Sequence, residues 1–280
     1  MNLQDPSPLH DRSEWPPGET SPQAGSGTDS SAEGAGAGRG RSGRGRLWAY
    51  TIGSGVMAGV VAWLAGEATL SVFQPRLVMM DTAVGPRLGA TLEEYHKVDS
   101  RNAALAFGLL GVCLGLALGL AGGLARGSTR SGAMAGIVGA GLGAILGAGA
   151  ALALQPLYYW GIARDPTQQS LTLPLLVHAG IWAAVGAAGG IAFGLGQDGR
   201  GERIARSALG GLIGAALSAV AYVVIGALVF PEGETTRPIS ATWGTRLMAR
   251  LLLATLTAAG IAAIVTSEPR ASARPISPSA

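Results

Sequence analysis

Six long apolar runs follow one another along the chain, with polar segments between them. Each run is about 20 residues long, the length of helix that crosses a hydrocarbon layer ~30 Å thick at ~1.5 Å per residue. Soluble cores seldom contain uncharged runs of this length. We therefore predict a membrane protein of the all-α class, with transmembrane helices over residues 47–73, 102–125, 133–154, 173–195, 208–230 and 247–265.

Three stretches of the apolar pattern align without gaps. They read GVMAGVVAWLAGEATLSVFQP, GIVGAGLGAILGAGAALALQP and GLIGAALSAVAYVVIGALVFP, and in each the first glycine and the last proline stand 20 positions apart. The even runs align more weakly, as GLAGGL, GIAFGL and GIAAIV. This internal repeat predicts a helical hairpin written three times, over about residues 47–125, 126–196 and 200–266, with a pseudo-threefold axis along the membrane normal. The prolines are expected to end the odd helices.

The composition supports the membrane class, because 48% of the residues are hydrophobic and only 13% are charged. Residues 1–46 differ: they are rich in Ser, Gly and Pro and end in GRGRSGRGR, so we expect a disordered tail there and another over residues 267–280. The arginines before the first span could bind nucleic acid or anionic lipid, or could orient the span. We favour orientation, and we expect no nucleic-acid partner.

The arginines of the short loops predict the orientation. The loop after the second span carries Arg126 and Arg130 without an acid, and the loop after the fourth span is also rich in arginine. Because such loops stay inside, we expect both termini in the cytoplasm and a cytoplasmic membrane of the bacterial type. In the first outer loop, Thr91 and Glu94 fit a capping box, which predicts that the second helix begins near Leu92.

Glycine recurs at every fourth position of several runs. Small residues allow close van der Waals approach between helices in lipid, so we assign these glycines to helix packing. A four-residue stripe drifts around a helix, and we expect the upper and lower glycines of the second run to face two different neighbours. The packing glycines are Gly111, Gly115, Gly119, Gly123, Gly139, Gly143, Gly147, Gly186, Gly190 and Gly194.

Few ionisable groups lie inside the spans, and each is a candidate site. Glu67 could bind a cation or a proton; the alternative, which we favour, is an acid that reaches water or an arginine of an outer loop. His178 could be a ligand or a proton relay, and the favoured alternative is a hydrogen bond to a nearby carbonyl. Arg250 is expected to extend toward the outer surface.

Two glutamines, Gln74 and Gln155, stand at the predicted outer boundary, as does the Tyr158-Tyr159-Trp160 cluster. They are weak candidates for ligand binding, because interfacial anchoring explains such residues. The single cysteine, Cys113, lies inside a span and excludes an intramolecular disulfide. We expect it to be a small buried hydrophobe.

Catalytic motifs are absent from the sequence: there is no H-E-x-x-H, G-x-S-x-G or Walker A sequence, and no Cys/His cluster with metal spacing. We therefore expect no enzyme, no cofactor and no metal. Two hypotheses remain. The first is a structural or accessory membrane protein whose partners are the lipid bilayer and either further copies of itself or other membrane helices. The alternative is a channel or transporter for a small neutral solute.

Overall fold

A computed structural model describes residues 32–82, 85–164, 172–230 and 237–267, with the side chains of the first helix described from Arg44 onward. Six helices in these ranges are long and apolar enough to cross a membrane, which confirms the predicted class. The elements are α1 (Ala32–Ala68), β1 (Val78–Thr82), β2 (Gly85–Gly89), α2 (Leu92–Arg126), α3 (Thr129–Arg164), α4 (Thr172–Gln197), α5 (Gly201–Val229) and α6 (Trp243–Thr266).

The first helix starts earlier and ends earlier than the apolar run that predicts it. It begins at Ala32 and so includes residues 32–46, which the sequence assigned to the tail. Once the apolar span is helical, each further residue added upstream needs no new nucleation. The helix ends at Ala68, before the predicted boundary at residue 73. Residues 1–31 and 268–280, which hold the rest of the two predicted tails, lie outside the described residues.

The connection from α1 to α2 contains an antiparallel pair of strands, so the prediction of an all-α fold is wrong at this point. The register runs from Val78 opposite Gly89 to Thr82 opposite Gly85. Gly85 has a φ of 108°, a conformation that glycine adopts without strain at a tight connection. The two five-residue strands carry no clear apolar alternation, and sequence patterning therefore missed them.

The second helix begins at Leu92, where the sequence predicts it. The Thr91 side chain accepts a hydrogen bond from the Glu94 backbone N–H at 3.2 Å, as in an N-cap. Ten residues further on, the Asn102 side chain bonds to both backbone groups of Phe73, at 3.1 and 3.0 Å. These bonds hold the first part of the segment that follows α1 against α2.

Pro156 lies inside α3, which continues to Arg164, so the prediction that proline ends this helix is wrong. A proline removes only one backbone donor, and helices in membrane proteins tolerate it where neighbouring groups satisfy the freed carbonyl. The two extra turns carry Tyr158, Tyr159 and Trp160 beyond the predicted end of the span. For α1 and α5 the helix ends before the proline, at Ala68 and Val229.

The glycines of α2 lie directly against the backbone of α3. A Cβ atom on Gly111 would overlap Gly143, one on Gly115 would overlap Gly139, and one on Gly119 would lie 2.5 Å from the Gly136 nitrogen. A single neighbour therefore meets the stripe over most of its length, and the expectation of two neighbours is wrong. Two helices that pack through four-residue ridges cross at an angle, and this crossing follows the drift of the stripe.

The same close approach recurs between other helices. In α4, Gly186 faces Gly211 and Gly190 faces the backbone of Ser207, both of α5. In α1, Gly55 lies against Ala254 and Ala258 of α6. Helix α4 also contacts α2 and α3, and α5 contacts α6. Most of the large apolar side chains that are buried come from the even helices. They are Leu110, Leu114, Leu118, Ile181, Trp182, Val185, Phe193, Leu253 and Ile261.

Candidate functional site

Buried and partly buried polar side chains gather at one end of the helices, which we call the polar end and define by Glu67, Gln155, His178 and Arg246. An ion pair between α1 and α6 lies at this end. The Arg246 guanidinium binds both carboxylate oxygens of Glu67, at 2.7 and 2.8 Å. It also donates to the carbonyls of Ser240 and Ala241, at 3.1 and 2.7 Å. Arg246 thus links α1 to the segment that precedes α6, and Glu67 contacts an arginine, as the favoured interpretation had it.

Arg250 lies one turn below Arg246 on α6, and its position corrects the sequence-based expectation. Its side chain does not extend to the surface: the residue is 7% exposed and donates to the backbone carbonyl of Ala62. Gly66 makes room for it, because a Cβ atom there would overlap the guanidinium. The two arginines and Glu67 place two positive charges beside one carboxylate.

His178 is buried at the start of α4, with 2% of its surface exposed. One ring nitrogen, Nδ1, lies 2.8 Å from the Pro174 carbonyl of its own helix, and Nε2 lies 3.0 Å from the Arg237 carbonyl. The second contact holds the segment 237–240 against α4. The ring also packs beside Trp182 and Tyr222, with centroids 5.9 Å away in both cases. This is the carbonyl-bonded histidine that the favoured interpretation describes.

A small cavity of about 30 Å³ lies between α2, α4, α5 and α6, beneath the segment 237–240. This is room for one or two water molecules. Tyr222 and Ser240, which both carry a hydroxyl group, lie beside it. The indole nitrogen of Trp182 is buried without a hydrogen-bond partner. The polar residues that line this small cavity are His178, Trp182, Tyr222, Ser240, Arg246 and Arg250.

A much larger cavity of about 580 Å³, the vestibule, is also lined by the segment 237–240. The two cavities share Pro238, Ile239, Ser240 and Arg246 as lining residues. In the vestibule wall the Tyr159 hydroxyl donates to Asp99 at 3.1 Å, and the His96 ring stacks on Tyr159 at 3.9 Å. The polar residues of the wall are Tyr95, His96, Asp99, Asn102, Gln155, Tyr158, Tyr159, Arg237, Ser240 and Arg246.

The two candidate glutamines have different positions. Gln155 lines the vestibule, is 2% exposed, and has a buried side-chain oxygen without a partner. Gln74 is exposed in the connection after α1 and lines neither cavity. Glu67, Gln155 and His178 thus lie at the same end of the molecule, and Gln74 does not join them.

The sequence analysis missed the roles of Arg250, Trp182 and Tyr222. One available signal pointed to Arg250, since it interrupts an apolar run and a charged side chain within a span marks a site by default. Trp182 and Tyr222 carry no such signal, because buried aromatic residues are common in helix cores.

Comparisons with known protein families, with curated proteins and with solved structures gave no match for this chain. In the described ranges, no three His, Cys, Asp or Glu side chains gather into a group that could hold a metal ion. The fold and the site therefore define a class only: a helical protein with six segments able to span a membrane and a buried polar network at one end.

Proposed function

We propose that this chain is a structural or accessory membrane protein, without enzymatic activity, that acts through the packing of its helices. One observation carries the proposal: fully buried apolar side chains fill the space beyond the small cavity. Leu114, Leu118 and Phe193, from α2 and α4, each have 0% of their surface exposed. Tight packing of this kind supports the proposal that no aqueous path crosses the described residues.

The outward faces of the helices support a role in lipid or with partner helices. Met57, Ile137 and Leu228 are more than 60% exposed, and each comes from a different odd helix. Apolar surface of this extent suits contact with lipid chains or with other membrane segments. The partners we propose are therefore the bilayer and either further copies of this chain or unrelated membrane helices.

We further propose that the fold arose by triplication of a helical hairpin. The first glycines of the three aligned stretches, Gly55, Gly136 and Gly211, each pack on an even helix: α6, α2 and α4 respectively. A cyclic arrangement of three equivalent hairpins accounts for this recurring contact. Chance similarity in glycine and alanine content would not by itself require the three glycines to make the same kind of contact.

For the orientation, we propose that both termini face the cytoplasm of a bacterial-type membrane. Five arginines lie in or beside the turns that connect α2 to α3 and α4 to α5: Arg126, Arg130, Arg200, Arg203 and Arg206. Arginine in short loops is retained on the cytoplasmic side. Reporter fusions at residue 199 and at the C-terminus test this, and activity of a periplasmic reporter at either place contradicts it.

The second candidate function is a channel or transporter for a small neutral solute, which the vestibule of about 580 Å³ favours. A flux assay in proteoliposomes separates the two. We expect glycerol and urea to enter at the rate of protein-free vesicles, for the wild type and for Glu67→Gln. Protein-dependent flux that changes in Glu67→Gln rejects the structural role and supports transport.

A further inference from the structure

We propose that the small cavity beneath the segment 237–240 binds a single monovalent anion of halide size, with chloride as the probe ion. The first reason is charge. Arg246 and Arg250 face one carboxylate, that of Glu67, and both of its oxygens already accept from Arg246. Arginine does not lose its proton in proteins, and a buried charge is costly unless it is paired. Among the described residues, Arg250 therefore has no carboxylate of its own and shares Glu67 with Arg246, and an anion in the adjoining cavity supplies a second negative charge.

The second reason is the hydrogen-bonding character of the lining. Arg250 has five N–H donors, and the structure gives it one acceptor, the Ala62 carbonyl. Trp182 can only donate, and its indole N–H is buried without a partner although the residue is 2% exposed. Tyr222 and Ser240 each add a hydroxyl group to the lining. Donors from α4, α5, α6 and the segment before α6 thus surround one space.

Water fits this cavity less well than an anion. A water molecule can accept from two of the donors, but its own hydrogens then need acceptors and it adds no negative charge beside Arg250. An anion accepts hydrogen bonds from every donor and, unlike water, needs no acceptor in the cavity wall. The volume of about 30 Å³ suits a halide better than a phosphate or a larger carboxylate. The vestibule shares Ser240 and Arg246 with the cavity and therefore lies directly beside it.

Thermal unfolding of the purified full-length protein in detergent tests the site. The midpoint is measured against sodium chloride concentration, with sodium gluconate replacing chloride so that ionic strength is constant. We expect a saturable rise in the midpoint with chloride and with bromide, because a ligand that binds only the folded state stabilises it. Gluconate, which is too large for the cavity, should have no such effect.

Two variants locate the ion. Trp182→Phe keeps the ring and removes the N–H, and loss of one hydrogen bond to a charged group should weaken chloride binding about tenfold or more. The matched control is Trp63→Phe, since Trp63 also has a buried indole nitrogen without a partner but does not line the cavity. Trp63→Phe should leave the apparent Kd of chloride unchanged. Arg250→Gln should abolish the chloride effect.

The outcomes divide cleanly. Chloride dependence that is weakened in Trp182→Phe and intact in Trp63→Phe supports the anion site. The proposal is overturned if chloride and gluconate give the same midpoint, or if Trp182→Phe and Trp63→Phe respond to chloride alike. Should Arg250→Gln fail to fold, the two tryptophan variants still decide, because both keep all charges in place.

Discussion

The contact between α2 and α3 makes a prediction that runs against helix propensity. Alanine is favoured over glycine in helices by ~1 kcal/mol in water, so propensity alone predicts that Gly119→Ala stabilises the protein. A Cβ atom at this position would lie 2.5 Å from the Gly136 nitrogen and 2.6 Å from its Cα atom. Ordinary contacts between such atoms are about 3.5–4.0 Å, so the two helices must separate by roughly 1 Å to admit the methyl group.

A separation of that size removes a quarter to a half of the dispersion energy of each atom pair at the crossing. Overpacking of this kind costs about 1–3 kcal/mol, and the obstruction here is backbone, which cannot rotate away. We therefore expect Gly119→Ala to lower the free energy of unfolding by about 1–3 kcal/mol, and Gly119→Leu to disrupt the bundle. Unfolding in mixed micelles, followed by circular dichroism, measures the change.

The matched control is Gly141→Ala in α3, because a Cβ atom there has nothing within 4 Å. It should be neutral or slightly stabilising. If Gly119→Ala is as stable as the wild type, or if both variants change stability equally, the close backbone contact of α2 with α3 is not what holds these helices together.

Three further predictions concern the polar end and its approach. The double variant Glu67→Gln/Arg246→Gln should be destabilised by less than the sum of the two single changes, with a coupling energy of about 0.5–3 kcal/mol in a double-mutant cycle; additive effects contradict the ion pair. His178→Phe removes the contact with the Arg237 carbonyl, so hydrogen exchange at Ile239 and Ser240 should quicken while exchange in the middle of α5 stays as in the wild type. Thr91→Ala should cost about 1 kcal/mol of stability through loss of the N-cap, and Thr91→Ser should restore most of it; equal stability of the two variants argues against capping.

The sequence predicts the spanning helices well because their signal is long and has a simple cause. A segment in hydrocarbon must satisfy its own backbone and must cover itself with apolar side chains, so both requirements are visible in the residues. The start of α2 is equally local, since Thr91 caps a helix through a group only three residues away. The first helix shows the limit: its arginine-rich beginning from Ala32 is not apolar, and hydrophobic runs do not reveal it.

The site depends on contacts that join distant parts of the chain, and single-residue signals reveal them only in part. Glu67 is visible as an acid in an apolar run, but its partner Arg246 is 179 positions away. The room for Arg250 comes from the absence of a side chain at Gly66, a glycine that looks like every other glycine in the sequence. The segment 237–240, which covers the small cavity, has no periodic pattern that would place it there.

The central claim is that apolar packing closes the interior of these helices, and cysteine accessibility in the membrane tests it most directly. In a Cys113→Ala background, Leu114→Cys and Leu118→Cys replace side chains with 0% exposure, and Thr129→Cys at the exposed start of α3 is the positive control. We predict that a membrane-impermeant, water-soluble maleimide labels the Thr129 variant in opened vesicles and leaves both leucine variants unlabelled. Rapid labelling of Leu114→Cys or Leu118→Cys would mean that water reaches the centre, and the closed bundle would be contradicted.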